Sequence, residues 1–139
     1  MDDIVIDIES LRRAFATLKE AYGVYKSGEY DEKYSDYILD SCVQRFEYTF
    51  ETVWKTMKRY LTLYFHKPEN DLSMNNIFRY MESYGFAKNW ENWKHYYKER
   101  NNTSHEYNIE KSRELIKIIP DFIEDVEYFI KKFDEAKDD

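Results

Sequence analysis

A chain of 139 residues is the size of one compact domain, and only 3 Gly and 2 Pro leave too few turn formers for the repeated reversals of a sandwich or barrel. With 42% hydrophobic and 35% charged residues the composition suits long, solvated helices around a real core, and 19% aromatics, dominated by 14 Tyr, supply its bulk. A net charge of -7 excludes a surface that wraps nucleic acid on every side, while leaving room for a confined basic site.

Residues 1–139 read as a single domain. The one cysteine, Cys42, cannot form an intramolecular disulfide. The acidic start MDDIVIDIE lacks the basic flank and long apolar run of a secretory signal, and no segment approaches the ~20 apolar residues that cross a bilayer. The expectation is a cytoplasmic protein with no membrane contact.

Taken in chain order, Ile8, Leu11, Phe15, Leu18, Tyr22 and Tyr25 recur in steps of three and four, which predicts a helix stopping near Gly28. Ile4, Val5 and Ile6 have no second strand-like segment to pair with and read as an arm or an early helical turn. A long helix follows over 35–65, with Ile38, Cys42, Phe46, Phe50, Val53, Met57, Tyr60 and Tyr64 on one stripe; at ~1.5 Å per residue it spans roughly 45 Å. His66-Lys67-Pro68 ends it, because a residue before proline is pushed out of the helical region. Met74 to Tyr84 forms a shorter helix closed by Gly85, and Asn89 caps another that runs from Trp90 toward Arg100. Asn101-Asn102-Thr103-Ser104 then breaks the pattern. Asn108 caps a final helix carrying Leu115, Ile116, Ile119, Ile123, Val126, Phe129 and Phe133, which Pro120 should kink or split. The fold class is therefore all-α: an antiparallel up-and-down bundle of four long helices plus a short one.

Two places depart from plain amphipathic helix. On the long helix, Gln44, Arg45, Glu47, Glu51 and Lys55 form a polar strip in which Glu51 and Lys55 make a favourable pair worth ~0.3–0.5 kcal/mol. The strip is either a solvated face or the lining of a cleft. The second place is the run Arg100 to Tyr107, which the pattern makes a loop between helices. An always-charged guanidinium forks onto two phosphate oxygens and an imidazole titrates near ~6.5, so Arg100 and His105 together can bind a phosphodiester and move its protons without a metal. The plainer alternative is a helix boundary with Thr103 and Glu106 as a capping box, and Tyr107 packed beside Asn108. Around it Lys94, His95, Lys98 and Arg100 alternate with Trp90, Trp93, Tyr96 and Tyr97, a mixture that suits phosphate and base contacts as well as ordinary packing. His66 has no second ligand at metal-binding spacing, there is no glycine-rich phosphate loop, and Cys42 falls on an apolar stripe; no metal or cofactor is expected.

Arg100-Asn101, His105 and Tyr107 resemble the R-x4-H-x-Y signature of the HEPN superfamily. Gln44-Arg45-Phe46-Glu47-Tyr48-Thr49-Phe50-Glu51 with Trp54-Lys55 resembles the long-helix signature of its group named nucleotidyltransferase substrate-binding proteins. The resemblance implies a homodimeric bundle acting beside a small nucleotidyltransferase. In its toxin-antitoxin form it implies a metal-independent endoribonuclease with Arg100 and His105 catalytic and Asn101 orienting the substrate. The partner would then neutralise it by masking or by adding AMP to Tyr107. RNA cleavage by the 2′-hydroxyl wants both an acid and a base, which two copies of His105 across a dimer cleft would supply. The alternative is a non-catalytic subunit that presents a nucleotide or polymer end to the nucleotidyltransferase, with Arg45, Glu47 and Lys98 assisting Arg100 in binding.

Overall fold

The computed structural model describes residues 6–103 and 108–137. Regular structure among them is entirely helical: α1 (Glu9–Ser27), α2 (Ser35–Tyr64), α3 (Met74–Ser83), α4 (Trp90–Thr103), α5 (Ile109–Ile116) and α6 (Ile119–Lys137), with 3₁₀ turns at Glu32–Tyr34 and Glu69–Asp71. None of these helices is long and apolar enough to cross a membrane. Ile4 and Val5 lie outside the described residues, and Ile6 is buried against the core.

Most boundaries follow the local chemistry. Gly28 closes α1 at φ 65°, a left-handed conformation that costs glycine nothing. Ser73 caps α3 by accepting the Asn76 N–H, and Asn108 caps α5 by accepting from Glu110 and Lys111. After α2, His66 takes φ 54° and the Lys67 N–H returns 3.1 Å to the Leu61 carbonyl, so the turn is made before Pro68 is reached.

Two boundaries refine the sequence reading. The final helix is split beside Pro120, one of the two outcomes expected there, so the described residues hold six α-helices rather than five. Pro120 sits in the first turn of α6, where its missing N–H would have had no partner, and the chain breaks just before it, where Lys117 and Ile118 bond three residues back. The second correction is at the end of α4, which continues through Thr103. The Thr103 hydroxyl donates to the carbonyls of Arg100 at 3.1 Å and Glu99 at 3.4 Å, engaging the last turn. Arg100 and Asn101 therefore stand on a helix and not on a loop. Thr103 ends α4, and Glu106, its partner in the expected capping box, lies outside the described residues.

Side-chain pairs fix the helix directions. Arg12 meets Asp134 at 2.6 Å and Lys19 meets Glu127 at 3.7 Å, so α1 and α6 run antiparallel. Asn92 bonds to Asp125 and Tyr96 packs on Phe122, which makes α4 antiparallel to α6, whereas Phe46 with Phe122 and Tyr60 with Phe133 make α2 parallel to it. The hub is Phe122, whose ring lies 4.7 Å from Phe46, 5.2 Å from Tyr96, 5.9 Å from Trp93 and 6.3 Å from Phe50, all near edge-to-face.

One polar link crosses this core. The Tyr96 hydroxyl donates 2.5 Å to buried Asp125, which also accepts from Asn92 at 3.4 Å. Burial first, and then this hydrogen bond, push the Tyr96 phenol far above the ordinary tyrosine range. A raised folded-state value means that the neutral phenol stabilises the fold below about pH 10 and that this contribution is lost as pH rises further. Tyr96→Phe, which strands the carboxylate, is expected to cost about 1–3 kcal/mol at pH 7 and to flatten part of the stability loss above pH 10. Urea melts at neutral and alkaline pH check this; a variant as stable as the parent would remove the link from the account.

Candidate functional site

Arg100 projects from the last turn of α4 toward α2, where Glu51 receives it. The Arg100 Nη2 lies 3.2 Å from Glu51 Oε2, and the same oxygen accepts the Trp54 indole N–H at 3.1 Å, while Lys55 Nζ stands 3.4 Å from Oε1. The Arg100 Nη1 donates to Asn101 Oδ1 at 3.3 Å. Both members of the ion pair are about one-third exposed, at 32% and 33%, so the guanidinium is oriented without being withdrawn from solvent. Its Nε is buried and unbonded among the described residues. A guanidinium has five N–H donors, and this one is held by its ends with capacity remaining for an anion.

Arg100 lines a pocket of about 270 Å³ between α2, α3 and α4, whose walls include Phe50, Trp54, Met74, Ile77 and Tyr97. Lys58 is a second cation of this pocket, held 2.6 Å from Glu69. The chemistry offered is a planar apolar surface flanked by two tethered cations, which suits a ring-bearing, anionic small molecule. No group of three or more His, Cys, Asp or Glu side chains among the described residues is placed to hold a metal ion.

The polar strip of α2 is thus divided by helix geometry. Glu51 lines the cleft and pairs with Lys55 besides. Glu47, one turn earlier, lies within electrostatic reach of Arg100; burial raises its carboxyl pKa, Arg100 pulls it down and Asp40 pushes it up. Arg45 faces elsewhere: it lines a groove of about 240 Å³ between α1 and α2 with Thr17, Glu20, Ala21, Val24, Ile38 and Ser41. Two residues apart on a helix is ~200° around it, so Arg45 and Glu47 do not share a site. Lys98 is exposed on α4 and is not part of the pocket wall. His105 and Tyr107 lie outside the described residues.

The sequence reading missed Lys58 as a site residue, while Tyr97, noted among the aromatics around Arg100, does line the pocket. A signal for Lys58 exists, since Glu47, Glu51, Trp54 and Lys58 follow one another in steps of four, three and four along one face of α2. Cys42 is fully buried, and burial holds its thiol up at about 11 despite nearby Arg45, as befits a core residue and not a nucleophile.

The chain is thus a helical bundle with a pocket onto which an oriented guanidinium opens. The chain belongs to the family of nucleotidyltransferase substrate binding protein-like proteins, whose profile matches residues 6–135. Among solved structures it is similar to a chain from Haemophilus influenzae described as having the fold of a substrate-binding domain of a nucleotidyltransferase. The TM-score is 0.81 at 23% identity, over 91% of this chain and 98% of that one. It is also similar to a protein from Thermus thermophilus, with TM-score 0.71 and 27% identity over 88% and 97% of the two chains. No curated protein matches. Of the two activities drawn from the sequence, this membership accords with substrate binding rather than with a ribonuclease toxin.

Proposed function

We propose that the protein is the substrate-binding partner of a nucleotidyltransferase and that it holds a nucleotide, or the nucleotide end of a polymer, in the pocket at Arg100. The observation that carries this reading is the placement of an oriented, partly solvated guanidinium beside Trp54 and Tyr97. A phosphate would take the donors that Arg100 keeps free, and a base would lie against the aromatic wall. The pocket falls just below the ~300–1,000 Å³ of ordinary small-molecule sites, so it fits one nucleotide unit and no more. Binding needs the guanidinium but no titrating imidazole, so His105 would be dispensable for it. A two-fold dimer would present two such pockets to the catalytic partner.

Calorimetric titration of the purified protein with AMP tests the reading. Saturable binding that survives His105→Gln is expected. A different outcome would restore the toxin reading: cleavage of single-stranded RNA in excess EDTA that His105→Ala abolishes, with AMP added to Tyr107 by the partner enzyme.

A further inference from the structure

The basic and aromatic alternation along α4 is not used up by the pocket. At 100° per residue, Trp90, Lys94, Tyr97 and Lys98 fall within one narrow face of α4, beside the buried face of Trp93 and Tyr96. Tyr97 is itself part of the Arg100 pocket wall, so this face runs into the pocket. At its far end Arg79 of α3 stacks 4.4 Å from the centre of the Trp90 ring, and Lys94 lies 5.6 Å from the same ring. Two cations gathered on one indole repel each other unless an anion comes between them.

Among the described residues no carboxylate lies within ion-pair distance of either cation. Glu82, the acid nearest Trp90 on α3, accepts the Trp90 backbone N–H at 3.1 Å. Among the described residues Arg79, Lys94 and Lys98 enter no ion pair, in a chain of net charge -7. Cations without an ion pair are common among the described residues, and what sets these apart is their gathering: Arg79 and Lys94 share one indole and Lys98 follows a turn beyond, with Glu91 at the edge of the same face. Lys94 and Lys98 are one turn apart, ~6 Å along the axis, which is a repeat that successive phosphates of an extended strand can follow.

We propose that this strip is the track for a single-stranded nucleic acid whose terminal nucleotide occupies the Arg100 pocket. Arg79, Lys94 and Lys98 take the phosphates behind that end. The proposal rests on the nucleotide-binding reading of the pocket and extends it from a single nucleotide to a polymer acceptor. A duplex is disfavoured because its paired end cannot enter a pocket of about 270 Å³.

The test is fluorescence anisotropy of a labelled ten-nucleotide single-stranded RNA with the full chain, alongside AMP calorimetry. Four phosphate contacts on a single strand, the one at Arg100 included, give a salt slope of about -3, hence roughly 50-fold weaker binding between 50 and 200 mM salt. The triple variant Arg79→Gln, Lys94→Gln, Lys98→Gln should lose most of that slope yet bind AMP as the parent does. If AMP binds but the oligonucleotide binds no better, or the triple variant keeps the parental slope, the track is overturned and the pocket stands. Salt-dependent RNA binding lost in the triple variant but indifferent to Arg100→Ala would keep the track and sink the pocket. Tighter binding of the matched duplex overturns the single-strand assignment. A triple variant that binds RNA normally but no longer binds the nucleotidyltransferase would make the strip a protein-docking surface instead.

Discussion

Arg100→Ala is expected to weaken AMP binding by about 30-fold or more while leaving the bundle folded. Removing one partner of a hydrogen-bonded charge pair in a binding site costs on the order of 2 kcal/mol or more in affinity, because the phosphate then loses a forked donor with nothing to replace it. Stability should change by less than about 1 kcal/mol. The reason lies on α2: without Arg100, Glu51 still accepts from the Trp54 indole and still faces Lys55, so no carboxylate is stranded. Arg100→Lys should fall between, keeping the charge but not the fork. Calorimetry and thermal melting on the same samples separate the two effects. Parental AMP affinity in Arg100→Ala would place the site elsewhere.

The second large effect concerns the fold. Phe122→Ala should destabilise the protein by about 3–5 kcal/mol and lower its melting temperature by roughly 10–20 °C. The Phe122 side chain is fully buried, and its four near edge-to-face neighbours come from α2 and α4, so the cavity cannot close by moving one side chain. Leucine at the same position should recover much of the loss by refilling volume. Circular dichroism melts decide it; a fall of only a few degrees would show that the core collapses around the gap.

Element order and most helix ends were legible because they depend on nearby residues. The middle of the α2 stripe from Cys42 to Met57, the cap at Asn108 and the stop at Gly28 are all written within a few positions of where they act, whereas the ends of the stripe shift, with Leu39 and Leu61 buried and Tyr64 exposed. The extension of α4 through Thr103 was not. Asn101, Asn102 and Thr103 are weak helix formers, and what holds the turn is in part tertiary: Arg100 is anchored to α2, while the Thr103 hydroxyl engages the carbonyls of its own helix. Arg100 itself stood out for its chemistry, but its counterion lies 49 residues away, a pairing that no local spacing reports. The same holds for Tyr96 and Asp125, 29 residues apart, each of which looks ordinary on its own helix. Arg45 shows the opposite failure. It neighbours Glu47 in sequence, and the helical turn carries it to a different groove.

The seam between α1 and α6 carries a consequence for the order of folding. Arg12 and Asp134 are separated by 122 residues, and closing a loop of that length costs about 4 kcal/mol in chain entropy. Exposed ion pairs such as Arg12 with Asp134 and Lys19 with Glu127 contribute at most ~1 kcal/mol each, so they cannot draw the two helices together unaided. Helix α1 must first pair with its sequence neighbour α2, and α6 must reach the core through Phe122 and Phe129. The seam then closes between surfaces already held in place. High salt should therefore leave the refolding rate nearly unchanged and act on unfolding, with α1 parting from α6 before the aromatic centre gives way.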